Sequence, residues 1–154
     1  MNMRIAIKLL AFAMVGFVIA VVQAQSSGSA AEQQLFASVN QTRRAQGLAE
    51  LKWNETLAVA ARRHAALMAQ HGSAEHGYAG EPTLASRITK AGGHFVWLAE
   101  NVIQAASAEG IQEGFLKSAN HRANMLDSDM DSIGVGVVER GGQLFAVEDF
   151  SKAK

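Results

Sequence analysis

The sequence predicts an α+β domain, and three observations predict it. Apolar residues recur at helical spacing between residues 29 and 117, behind side chains suited to capping. Alternating strand residues around a glycine pair occupy residues 133–150, so helices come first and an antiparallel hairpin last. The chain of 154 residues is 49% hydrophobic and 18% charged, which suits one domain with a core and excludes a fully disordered chain.

Residues 1–24 carry Arg4 and Lys8, then an uninterrupted apolar run with glycine from Leu9 to Val22, then Val22-Gln23-Ala24. This is the pattern of a secretory signal, with cleavage predicted after Ala24. The run is short for a membrane span, so no stable span is expected if the signal is cleaved; the alternative is that residues 1–24 are kept as an N-terminal anchor. Residues 25–30 are Ser-rich and predict a short polar tether, and residues 31–154 the domain.

Ser29 and Glu32 form a capping box, and Leu35, Phe36 and Val39 follow on one helix face up to Gly47. Asn54 starts a second helix that carries Leu57, Ala61, His64, Ala65 and Met68 on one face and stops at Gly72. A third helix is predicted from about Thr83 to Ala91. A fourth spans Ala108 to Lys117 behind Ser107, with Ile111 and Phe115 inward. Ile133 to Val138 is a strand in which Gly134 and Gly136 share one face, so something bulky is expected to pack there. Gly141-Gly142 turns the chain into a return strand, Leu144 to Phe150.

Composition narrows the function. Lys+Arg and Asp+Glu are 14 each, and without Arg4 and Lys8 the balance is about −2. No nucleic-acid partner is implied. Cysteine is absent, which excludes disulfides, thiolate zinc sites and cysteine nucleophiles. HExxH, GxSxG, GxGxxG and P-loop patterns are absent too.

Five histidines remain. His64 is predicted to be a core residue with its ring hydrogen-bonded, His71 to cap a helix end at the surface, and His94 to sit in a glycine loop without a partner. His76, Glu100 and His121 are the candidates, each expected in a loop or at an element edge. Two imidazoles and a carboxylate can ligate a divalent metal or form a proton-transfer pair. Their intervals of 24 and 21 residues define no metal spacing, so the fold must bring them together. The run Asn120 to Leu126 has a structural reading as well: Asn120 capping a turn, Arg122 pairing with a carboxylate and Asn124 binding backbone.

In chain order, several segments are similar to one family. Leu35 to Leu48 resembles its opening "N..R...GL" helix, Leu51-Lys52-Trp53 and Leu57 its "L.W...L" entry, and Ala61 to Ala69 its "A..HA..MA" stretch. His76 matches its first site histidine, followed by Gly80, Arg87 and Ala91-Gly92. Ala99-Glu100-Asn101 resembles "GEN", and Ser118 to Leu126 resembles "S.GHR.NIL". Ile133 to Val137 and Val147 to Phe150 resemble its closing strands. The family is the CAP superfamily (cysteine-rich secretory, antigen 5 and pathogenesis-related 1), and within it the short cysteine-free bacterial branch of SCP-like extracellular proteins.

The resemblance implies a three-layer α-β-α sandwich around an antiparallel sheet, with His76, Glu100 and His121 converging on a cleft. It also implies that Asn101, Ser118, Arg122, Asn124 and His64 are motif or structural positions. A further glutamate of many relatives is replaced here by Ser118, behind Phe115 in place of a tryptophan, and Ala99 and Asn120 replace usual glycines. Three functions follow as expectations. The first is a secreted binding module without turnover, holding zinc or another divalent cation at His76 and His121 with Glu100 behind them. The second is a metal-assisted hydrolase of peptide or cell-wall bonds. The third is a lipid- or sterol-binding protein. A cell-envelope, lipid or protein ligand is open under all three.

Overall fold

A computed structural model describes residues 28–153; the predicted signal and the start of the tether lie outside the described residues. Five helices surround a four-stranded sheet in the order β1-β3-β4-β2. The helices are α1 (Ala30–Ala45), α2 (Glu55–His71), α3 (Leu84–Lys90), α4 (Ala108–Lys117) and α5 (Ala119–Met125). The strands are β1 (Lys52–Trp53), β2 (Trp97–Ala105), β3 (Ser132–Arg140) and β4 (Gln143–Lys152).

The predicted caps form. Ser29 and Glu32 make the reciprocal capping box, and Asn54 accepts from the Thr56 and Leu57 N–H groups. Thr83 and Ser107 cap α3 and α4. Glu32 does more than cap. It is 2% exposed, and its carboxylate also accepts from Arg62 and from the Val137 N–H, which ties α1 to α2 and β3.

The long strands β2, β4 and β3 are antiparallel, whereas the two-residue β1 lies parallel to β3. The sheet is therefore mixed at one edge rather than wholly antiparallel. Strand alternation divides the interior. Ile133, Val135, Ala146 and Phe150 pack with Leu35, Ile111 and Phe115 of α1 and α4. Phe145 and Val147 pack with Ala61, Ala65 and Met68 of α2 on the other face. These are the three layers.

The bulky neighbour of Gly134 and Gly136 is the backbone of α2. A Cβ on Gly134 would overlap Leu57 and Ala58, and one on Gly136 would overlap Ala61 and Arg62. Gly141 and Gly142 both hold positive φ, +61° and +74°, as a two-residue hairpin turn of the primed kind requires.

Two elements depart from the expectations. Residues 97–105 form a full edge strand, so Glu100 and Asn101 stand on a strand and not in a loop. His121 lies on α5, whose cap is Ser118 rather than Asn120. Ser118 ends α4 and starts α5 at once, which fixes the corner between them. Arg43, 1% exposed, donates to the Ala49, Met125 and Asp127 carbonyls and so clamps the far end of α5 to α1.

Candidate functional site

The site is built from two adjacent residues of β2 that point to opposite faces of the sheet. Glu100 points toward α2 and α3. Its Oε1 accepts from His76 Nδ1 at 3.0 Å and its Oε2 pairs with Arg87 Nη2. Arg87 Nη1 reaches Glu81 Oε1 at 3.0 Å, and that same oxygen meets His64 Nδ1 at 2.7 Å. His64 Nε2 lies 2.8 Å from the Glu75 carbonyl, and Glu81 Oε2 accepts from the Tyr78 N–H. A continuous chain thus runs from buried His64 through Glu81, Arg87 and Glu100 to His76, whose own side chain is 63% exposed. Each buried charge has an opposite partner, as burial of charge demands.

Behind Glu100 stands Asp149, its direct partner across β2 and β4 and 1% exposed. No donor among the described residues reaches either Asp149 oxygen. Burial first, and the Glu100 charge second, push its carboxyl well above the usual range. Both causes favour the uncharged acid beside the Glu100 carboxylate.

Asn101 points the other way, toward α4 and α5. Its Nδ2 donates to the His121 carbonyl and to Glu148 Oε2, both at 3.1 Å. Its Oδ1 accepts from Asn124 Nδ2 at 2.9 Å, and Asn124 also reaches the Glu100 carbonyl at 3.4 Å. Glu148 is fully buried, and burial raises its pKa to about 8, so this face is neutral at pH 7. His121 rests edge-on against Phe115, ring centroids 5.2 Å apart, with its Nδ1 buried and unpartnered.

The two site histidines are tuned in opposite directions. The hydrogen bond that His76 donates to Glu100 raises its pKa, while burial lowers that of His121. The charge of His76 is a second cause of the lowering at His121, so the rings share one electrostatic environment. His76 and Glu100 meet directly; His121 joins through Asn101 and its own backbone.

The remaining predicted residues fall into place with small corrections. His64 is a core residue with both nitrogens engaged, as expected. Arg122 donates to the Leu116 carbonyl rather than to a carboxylate. Ser118 Oγ accepts from the His121 N–H. His71 is exposed and stacks on Tyr78 at 4.0 Å, and His94 is exposed on its loop. Glu81, Asp149 and the pairing role of Arg87 were not singled out from the sequence. Asp149 alone has a visible signal: Glu148-Asp149 follow the apolar residues 144–147 in a strand buried on both faces.

Among the described residues no group of three or more His, Asp or Glu side chains is placed to hold a metal ion. His76 and His121 are the two imidazoles of the predicted donor set. His76 has one nitrogen fixed by a buried carboxylate, the arrangement that orients metal-binding histidines. The environment of His121 favours its neutral, ligating form.

Residues 36–150 match the model of the CAP family, described as the cysteine-rich secretory protein family. A comparison with curated protein sequences gives no match. Among solved structures, an extracellular SCP-domain protein from Bacillus anthracis superposes with a TM-score of 0.74 at 26% identity, covering 79% of this chain and 40% of that one. An outer surface protein from Borrelia burgdorferi gives 0.74 at 22% identity, covering 80% and 93%. Schistosoma mansoni venom allergen-like protein 4 gives 0.65 at 15%, covering 82% and 91%. The latter two share the fold. No helix among the described residues is long and apolar enough to cross a membrane.

Proposed function

The chain belongs to the CAP family, and we propose that it acts there as an exported binding module without turnover, holding a divalent cation, zinc foremost, on His76 and His121. One observation carries this reading: the buried acids around the two histidines are already committed. Glu100 accepts from His76 and pairs with Arg87, Glu81 serves His64, Arg87 and Tyr78, and Asp149 is sealed in the sheet. Ser118, the nearest hydroxyl in the motif, caps α5. What remains for a ligand is imidazole, with the exposed carboxylate of Glu75 beside His76 and Ser118 held as a helix cap rather than as a nucleophile. Glu100 acts by fixing the His76 ring, and Asn101 by fixing the α5 backbone at His121. Export rests on the N-terminal signature and on the extracellular and outer-surface descriptions of the structural relatives.

The test pairs binding with turnover. Zinc is titrated into the chelator-stripped protein by calorimetry, and the same protein is assayed on a peptide and peptidoglycan panel. One-site binding without hydrolysis is the expected result. Hydrolysis that disappears in Glu100→Gln would replace the binding module with a metal-assisted hydrolase.

A further inference from the structure

A pocket of about 180 Å3 opens between α2 and α3. Its floor is Ala60, Leu67 and Pro82, and three cations, Arg63, Arg87 and Lys90, stand around it. The one acid in its wall, Glu81, is already bonded to Arg87 and His64. Arg63 and Lys90 are exposed and make no ion pair among the described residues. Arg87 is 8% exposed, and its Nε–H is buried without an acceptor. The pocket therefore combines an apolar floor with an unbalanced positive rim, a combination that internal packing does not require.

Its size limits the occupant. At about 30 Å3 per water the space equals roughly six waters, below the usual drug-sized pocket. One aliphatic side chain fills it, and a long acyl chain or a nucleotide does not fit.

We propose that this pocket captures the C-terminal residue of a peptide, with its α-carboxylate between Arg63 and Lys90 and an aliphatic side chain on Ala60, Leu67 and Pro82. Carboxylate capture of a chain end is a recurrent mode of peptide recognition. The charge sets the end of the chain, and the floor selects the last residue.

N-acetyl-leucine tests this as a minimal chain end, titrated into the purified full chain and followed by NMR shifts. Saturable binding at one site is expected. N-acetyl-leucinamide, which lacks the charge, and N-acetylglycine, which lacks the side chain, should each bind about tenfold or more weakly, since each buried methylene is worth about fourfold. The double variant Arg63→Ala, Lys90→Ala should weaken N-acetyl-leucine by about tenfold or more. Both positions are exposed, so its melting temperature should not move. Leu67→Glu should abolish binding. Equal affinity for the amide, an unchanged double variant, or no saturable binding would overturn the proposal. So would tighter binding of decanoate, which would mark a longer acyl channel.

Discussion

Glu100 and Asn101 are neighbours on β2, yet they organise opposite kinds of interior. On the α2 and α3 face, Glu100 belongs to a chain of full charges that closes on Arg87 and ends at exposed His76. On the α4 and α5 face, Asn101 belongs to a neutral set of amides and a protonated Glu148 that ends at the backbone of half-buried His121. One face places its histidine by ion pairing and raises its pKa; the other places it by amide hydrogen bonds and lowers it. The lesson is that one edge strand can position two imidazoles, one from each of its faces, through unrelated physics. The two halves should accordingly fail in different ways.

The largest failure is expected at Arg87. Arg87→Ala leaves buried Glu81 and Glu100 without the cation they share, and should cost about 3–5 kcal/mol in denaturant unfolding. A loss below about 1 kcal/mol would mean that the charged face is not a connected network.

The neutral face should instead reveal itself through pH. Glu148 rises from its ordinary 4.5 to about 8 in the fold. Between those values the folded state holds a proton that the unfolded state has released, so stability should fall as pH rises. Glu148→Gln removes that slope. The variant should gain on the order of 5 kcal/mol over the parent above pH 8 and nothing at pH 4. Parallel stability profiles would contradict a buried proton there.

Asn101→Ala removes donors to His121 and Glu148 and an acceptor for Asn124, with an expected cost of about 1–3 kcal/mol. Heteronuclear spectra should show α5 shifts in this variant while the His64 ring stays in place. The smallest effect on stability belongs to His76→Ala. Its side chain is 63% exposed, so solvent screening should hold the change in unfolding free energy below about 1 kcal/mol.

The sequence showed α1, α2 and α4 because their caps and apolar stripes agree, and it showed the closing hairpin because Gly141-Gly142 sits between alternating runs. It hid β2. Residues 97–105 include Ala, Glu, Asn and Gln, poor strand formers, and their pairing with β4 compensates through tertiary contact. It hid α5 because seven residues with one buried side chain have no helical period to display. His76, Glu100 and His121 were legible through the order of motifs, not through spacing. The partners of Glu100 were not legible, because Arg87 and Asp149 come from α3 and β4, which only the fold brings to β2.

Zinc titration of the metal-free protein, with His76→Ala and His121→Ala beside it, tests the central claim most directly. One-site binding in the parent is expected, lost in both variants while each keeps its fold. Binding that survives in either variant, or no binding at millimolar zinc, would contradict a cation held jointly by the two histidines.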